Sequence, residues 1–319
     1  MAIALKKIKV NTKATQTILA FASLILLIII FSILSPHFLS YHNINTILLA
    51  TAVNGILAIG ITFIIITGGI DLSVGTVMTF CSVMCAVFIT NLGFPIVVGL
   101  FVAVLAGALC GFANGTLIAK LKLPPFIATL GMMNVTRGLN LIISEIKPVY
   151  IDAEGFYDIA VGMPFGIPNG VLILFLTAII AAFILSKTIL GRYTFAIGSN
   201  EEAARLSGIN TDRWKIGIYT MSGAFFGIAG IVMASRLSSA QPALGPGYEM
   251  DAIAAAVIGG ASLSGGVGSI LGTIIGAFII TVLTNGLRML SVPQELQMVV
   301  TGLIVIGAVY MDIVRRRIK

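Results

Sequence analysis

Leu24-Ile25-Leu26-Leu27-Ile28-Ile29-Ile30 is an unbroken aliphatic run. A membrane β-strand alternates lipid-facing and lumen-facing residues, and this run does not alternate. It lies within a longer apolar stretch, residues 17–34, and a helix crosses the hydrocarbon in about 20 residues. In lipid, backbone groups must be satisfied within their own segment, so the stretch reads as a spanning helix. Lys6, Lys7, Lys9 and Lys13 precede it in the outline of a signal peptide. The run is long for a signal core, and Ser35, Pro36 and His37 supply no cleavage pattern, so an uncleaved first span is expected.

Working outward, nine more apolar segments follow the first: 44–67, 72–90, 95–119, 125–143, 169–186, 216–234, 250–266, 269–287 and 294–311. The eighth of the ten, 250–266, is short and Gly/Ser-rich at its end, which leaves open whether it crosses fully, is broken or crosses only in part. Composition agrees: of 319 residues 58% are hydrophobic and 10% charged, with a mean hydropathy of +1.09. A soluble domain carries about 25% charged residues, so this chain cannot cover a water-facing surface. The expected fold is all-α, about ten transmembrane helices in one domain spanning 1–319.

An even number of spans puts both termini on one side, and the basic residues say which. Lys6, Lys7, Lys9, Lys13, Lys120, Lys122, Lys187, Arg192, Arg205, Arg213, Lys215, Arg315, Arg316, Arg317 and Lys319 fall on the termini and the loops of that side. Arg137, Lys147, Arg236 and Arg288 do not. This asymmetry marks the basic side as cytoplasmic. The net charge of +7 therefore reflects orientation in a membrane, and nucleic acid is not an expected partner. Cys81, Cys85 and Cys110 lie in apolar runs without a CxxC or a neighbouring histidine, so they read as buried hydrophobes and no metal site is expected.

Two loops exceed ordinary connectors: an outer one, 144–168, and an inner one, 187–215. A further outer segment covers 235–249. The inner loop contains Gly198-Ser199-Asn200-Glu201-Glu202-Ala203-Ala204-Arg205-Leu206-Ser207-Gly208-Ile209-Asn210. Ser199 and Glu202 have the spacing of a capping box. Glu201 and Glu202 favour the positive end of a helix dipole, and Gly208 suits a left-handed stop. The segment predicts a short helix outside the membrane, and so short a helix needs a surface to pack on.

GSNEEAARLSGIN resembles the coupling loop of permease subunits of ABC importers, with Glu201, Glu202, Ala203, Arg205 and Gly208 at the matching positions. Further blocks resemble the ribose-type sugar importers in family order: 69–75 (GIDLSVG), 126–131 (FIATLG), 236–242 (RLSSAQP), 247–255 (GYEMDAIAA) and 259–266 (GGASLSGG). The resemblance covers residues from about 40 to the C-terminus. It implies a type II importer-like permease that pairs with a second copy and forms the solute path at the two-fold axis. The ATPase-coupling residues would be Ser199, Glu201, Glu202, Ala203, Arg205 and Gly208. ATP and Mg would bind a partner ATPase, with no cofactor on this chain. An extracytoplasmic sugar-binding protein would deliver a monosaccharide, ribose first, in the bacterial cytoplasmic membrane.

Ionisable and polar groups at membrane depth need a reason. Asp71 in GGIDLSVG either caps the next helix by accepting from backbone N–H groups near Ser73 and Val74, or lines a broken segment of the path. GGASLSGGVGS at 259–269 looks like a second copy of GGIDLSVGT at 68–76, an internal repeat or a chance of glycine-rich packing. Candidate path residues are Asp71, Ser73, Asn54, Ser262 and Ser264. Asn54, Asn114, Asn134, Asn140 and Asn285 hydrogen-bond between helices or to solute hydroxyls, and Arg137 snorkels outward or pairs with a carboxylate. Gln241, Tyr248, Glu249 and Asp251, in a Pro/Gly-rich outer turn, form a plain connector or contact the binding protein.

No G-x-x-x-x-G-K-[ST] phosphate loop and no H-E-x-x-H occur, and His37 and His42 both sit in the first outer loop. The chain is therefore expected to be a non-catalytic pathway subunit. An ion-coupled secondary transporter is the alternative. It would need intramembrane carboxylates, for which only Asp71 is a candidate.

Overall fold

Lipid gives helices no hydrophobic reason to associate, so close backbone approach and interhelical hydrogen bonds decide which segments pack. The computed structural model, described for residues 12–317, shows this throughout. Its helices are α1 (Thr12–Leu34), α2 (Tyr41–Ile66), α3 (Val74–Ala86, continued by a π-helical turn Val87–Asn91), α4 (Ile96–Ala119), α5 (Pro125–Ile143), α6 (Asn169–Lys187), α7 (Ile189–Ser199), α8 (Glu201–Leu206), α9 (Thr211–Leu237), α10 (Tyr248–Ile258), α11 (Ile270–Met289) and α12 (Gln294–Arg317). Lys6, Lys7, Lys9 and Lys319 of the basic set lie outside the described residues.

Among the described residues, eight helices are long and apolar enough to cross a membrane: α1 to α6, α9 and α11, with α3 counted through Asn91. Of the expected ten segments, one departs from a spanning helix. Segment 250–266 contains only the 11-residue α10, because Gly259 and Gly260 end the helix and irregular chain follows. α12 covers the tenth expected segment, with Gln294–Tyr310 apolar among the described residues. Segment 216–234 belongs to a longer helix, α9, which starts at Thr211 under an Asn210 cap.

The centre of the bundle is α2, buried at every position from Thr51 to Ile66 and contacted by α6, α7, α9, α10 and α11. Uniform hydrophobicity around a helix is what a fully enclosed position demands. α1 packs on α11 at the edge, where Phe31 fills the space left by Gly286. On the outer side a two-residue antiparallel pair joins β1 (Val149–Tyr150) to β2 (Ser239–Ala240). Ser235 Oγ ties the same loop to α9, accepting from Ala160 N at 2.9 Å and donating to the Phe156 carbonyl at 2.8 Å.

The most extensive helix pair is α4 with α9. There Gly107 and Gly223 bring the two backbones together, and a Cβ on either would strike the other's carbonyl oxygen. Gly107→Leu is therefore expected to overpack this seam at a cost of about 1–3 kcal/mol. Thermal unfolding of the detergent-purified protein should show a lowered Tm. Gly217→Leu, at a position with nothing within 4 Å, should leave it nearly unchanged.

Candidate coupling site and polar core

The inner loop folds as two helices meeting at one residue. α7 runs through Ser199, capped at its start by Thr188, whose Oγ1 accepts from Gly191 N at 3.3 Å. Asn200 is extended (φ −164°, ψ 103°) and caps α8, its Oδ1 accepting from Ala203 N at 2.9 Å. The expected capping box is thereby corrected: Ser199 is held inside α7, so the cap falls one residue later. Glu202 does not reach back to the cap but binds Arg205 at 2.7 Å. That hydrogen bond raises the Arg205 guanidinium above its ordinary pKa.

Gly208 has φ +85° and ends α8 as the sequence predicts. Lys215 of α9 holds Glu201 at 2.6 Å, and Lys122 from the α4–α5 loop holds Asp212 at 2.7 Å. Each pair has one partner well exposed to water, and such surface pairs contribute about 0–1 kcal/mol each, so they orient α8 more than they stabilise it. A surface cavity of about 370 Å³ lies between α8 and the start of α9, lined by Lys122, Glu201, Glu202, Arg205, Gly208 and Asp212 among others. Ala203 and Ala204 complete the helix, with Ala204 buried against the bundle. Leu206 projects from α8 with 80% of its surface exposed. The sequence pattern passed over it, although an apolar residue at the tip of an extramembrane helix is itself a signal.

α7 seats this unit on the bundle. The last carbonyls of a helix lack intrahelical partners, and that of Ile66, ending α2, accepts from Gly266 N at 2.8 Å. Gly198 lies against the same carbonyl, so close that any Cβ would collide with it. A Cβ on Gly265 would come within 2.6 Å of the Gly198 carbonyl and 3.1 Å of Gly68 N. One on Gly266 would approach Ser199 Oγ at 2.9 Å. The two glycine-rich turns singled out in the sequence, 68–76 and 259–269, thus meet each other and α7 at one joint.

Asp71 is buried beside the start of α3. Its Oδ1 accepts from Ser73 N at 2.8 Å and from Ser73 Oγ at 2.6 Å, and Asn114 Nδ2 of α4 donates to its Oδ2 at 3.4 Å. Asn114 also donates to Ser73 Oγ at 3.1 Å. Of the backbone donors expected for Asp71, Ser73 N is the one it binds, so Asp71 fixes the residue just before α3 and links it to α4. Asn54 donates to Thr281 Oγ1 at 3.4 Å, Asn285 to Asn43 Oδ1 at 2.9 Å and Asn140 to the Thr76 carbonyl at 3.3 Å. Asn54, Asp71 and Ser73 therefore sit inside the chain's own core. Ser262 is buried in the joint and Ser264 is exposed.

On the outer side, chain beyond β2 descends along α3 until Gly245 meets Gly75, where a Cβ would strike the Gly245 carbonyl. Gly75 lies 15 residues before Thr90, whose hydroxyl donates to the Tyr150 carbonyl beside the β pair. That much helix is about 22 Å long, so the segment re-enters the membrane. Glu249 accepts from Gly247 N at 3.1 Å and caps the start of α10. Gln241 donates to Ser239 Oγ at 3.0 Å. Tyr248 and Asp251 are half-buried alongside. Irregular backbone at this depth is tolerated where it is enclosed by protein or lines a wet cavity. Among the described residues no group of three His, Cys, Asp or Glu side chains could hold a metal ion.

Spanning helices, a re-entrant broken segment and a docked inner helix define a multi-pass membrane transport permease. The chain belongs to the family described as "Branched-chain amino acid transport system / permease component", whose model matches residues 43–309. It is 45% identical over 294 residues to the ribose import permease protein of Bacillus subtilis, covering 92% of this chain and 91% of the relative. The ribose import permease protein of Haemophilus influenzae is 41% identical over 297 residues, 92% of each. The L-arabinose transport system permease protein of Escherichia coli is 39% identical over 288 residues, 90% of this chain and 88% of the relative. No solved structure matches the chain.

The Asp71 cluster generates a test of its own. Asp71→Ala leaves two Ser73 donors without an acceptor and should destabilise by about 1–3 kcal/mol. Asn114→Ala removes a member of the same network, so the double variant should lose less than the sum of the singles, by about 0.5 kcal/mol or more. A double-mutant cycle on detergent-unfolding midpoints reads this coupling.

Proposed function

We propose that this chain is the membrane subunit of an ATP-driven monosaccharide importer of the bacterial cytoplasmic membrane, with ribose as the first candidate sugar. The observation that carries the reading is α8, a capped helix outside the membrane, joined through α7 to the ends of two membrane segments. The names of the relatives support a sugar as cargo; the family description names amino acids. We favour the sugar because those relatives match over about nine-tenths of this chain.

In this reading two copies pair around the solute path, and each α8 enters a cleft on an ATPase subunit that binds ATP and Mg. Ser199, Glu201, Glu202, Ala203, Arg205 and Gly208 form the coupling unit, with Leu206 as its apolar tip. When the ATPase closes, α8 moves and α7 carries the displacement to Ile66 and to Gly265–Gly266. The 259–269 turn, with Ser262 and exposed Ser264, is then the part of the path nearest the motor. Asn54, Asp71 and Ser73 serve as fasteners of the helices that frame the path. The outer segment with Gln241, Tyr248, Glu249 and Asp251 faces the binding protein that delivers the sugar. The ion-coupled alternative is not favoured, because the Asp71 carboxylate is already engaged by three donors.

Proteoliposomes holding the chain, its cognate ATPase and binding protein should accumulate ribose with ATP, and rank it above other pentoses and hexoses. Accumulation driven by a proton gradient without the ATPase would overturn the proposal. For the coupling unit, Glu201→Lys with Glu202→Lys, or Gly208→Asp, should separate ATP hydrolysis from uptake. At Gly208 a side chain also meets the roughly 1–2 kcal/mol penalty of the left-handed region. Measured together, sugar moved per ATP hydrolysed should fall; an unchanged ratio in both variants would remove α8 from the coupling step.

A further inference from the structure

The least apolar of the eight spanning helices is one that the chain leaves almost uncovered. α5 has the lowest mean hydropathy of the set, yet only α1 is less buried, and α1 is the most apolar of all. A helix surrounded by lipid should be rich in hydrophobic side chains, as α1 is. The exposed side of α4 (Phe101, Leu105, Leu109, Phe112) and that of α6 (Leu176, Ile179, Phe183) follow the rule. α5 breaks it.

One side of α5 is accounted for by α3. Ala128, Thr129, Thr136 and Asn140 are buried there. Thr136 Oγ1 donates to Thr76 Oγ1 at 2.8 Å, and Leu72 N donates to Thr129 Oγ1 at 3.2 Å. Opposite them, at helical spacing, lie Gly131, Asn134 and Gly138. Asn134 is exposed, its amide reaching only the Leu130 carbonyl of its own helix at 3.2 Å. A Cβ at Gly131 or Gly138 would meet nothing within 4 Å. Arg137, exposed on the flank, is about 9 Å from the outer end of α5 and can snorkel to the headgroups. Asn134 cannot: it sits at the middle of the helix, roughly 13 Å from either end. An uncovered carboxamide at that depth is unfavourable in lipid, where polar groups turn to the bundle interior or to a water-filled cavity.

We propose that the Gly131–Asn134–Gly138 face of α5 lines the solute path, opposite the same face of the second copy. The inference rests on the paired-importer reading above and names the surface that reading leaves open. It moves the path away from Asn54, Asp71 and Ser73, which are enclosed within one copy. A carboxamide that both donates and accepts, flanked by bare backbone, offers a polyhydroxylated solute hydrogen bonds without a deep well to hold it.

Thiol labelling of the assembled importer in proteoliposomes tests this, in a background with Cys81, Cys85 and Cys110 replaced by Ala. The nucleophile is the thiolate, which forms in water and not in lipid. Asn134→Cys and Gly131→Cys should react with a membrane-impermeant charged methanethiosulfonate, and ribose transport should slow that reaction. Ile179→Cys on the apolar side of α6 should not react. Modification only by a lipophilic maleimide would assign the α5 face to lipid. Inertness to both reagents, with disulfide formation between copies, would assign it to a dry contact. Either result overturns the inference. ATP-driven uptake by the background protein is measured separately, so loss of the importer reading is distinguishable from loss of this one. As a check independent of cysteine, Asn134→Leu should lower ribose uptake while ATP hydrolysis by the complex persists, and Asn134→Ser should restore uptake.

Discussion

Everything in this bundle depends on backbones coming close enough to touch. In water, burial of apolar area would hold helices together; between lipid chains that drive is absent, and contact area and hydrogen bonds must replace it. Gly107 against Gly223 joins α4 to α9, and Gly272 against Gly259 joins α11 to the end of α10. The same device places α7 against the end of α2 at Gly198. Short polar side chains add hydrogen bonds between helices: Thr62 with Thr273 at 2.7 Å, and Ser222 with the Gly60 carbonyl at 2.9 Å. α2 tolerates complete enclosure because it has no charged side chain to satisfy.

The joint around Ile66 shows how structural necessity becomes a mechanical connection. The end of α2 leaves carbonyls that need donors, and a turn from a distant part of the chain supplies one. That turn follows α10, the short helix of the broken segment, and it also touches α7. The inner loop and both membrane segments are therefore in close contact at Gly198, Gly265 and Gly266. At the other end of α10, Gly245 lies against Gly75, so the broken segment is held by backbone contact at both of its ends.

Most of the spans and the inner helix were legible because each rests on local chemistry: apolar length and a glycine stop at Gly208. The Asp71 cap was legible in part, since Ser73 is two residues away. Its partner Asn114 was not, because 43 residues separate them. The capping box failed for a related reason. Ser199 has the right spacing to Glu202, but packing of Gly198 and Ser199 on the joint extends α7 and hands the cap to Asn200. Leu206 and the exposed face of α5 needed coordinates, because a leucine or an asparagine in a string of letters does not announce which side it faces.

The sequence by itself determined that this is an all-helical membrane chain, with its basic loops on one side and a capped helix among them. Those properties follow from hydropathy, charge and short-range hydrogen bonding, which act over a few residues. Only the tertiary structure decided that segment 250–266 is broken, that the two glycine-rich turns meet α7, and that Asn54, Asp71 and Ser73 are enclosed while Asn134 is not. Each of these depends on which helices become neighbours, and in lipid that choice is made by backbone contact between residues far apart in the chain.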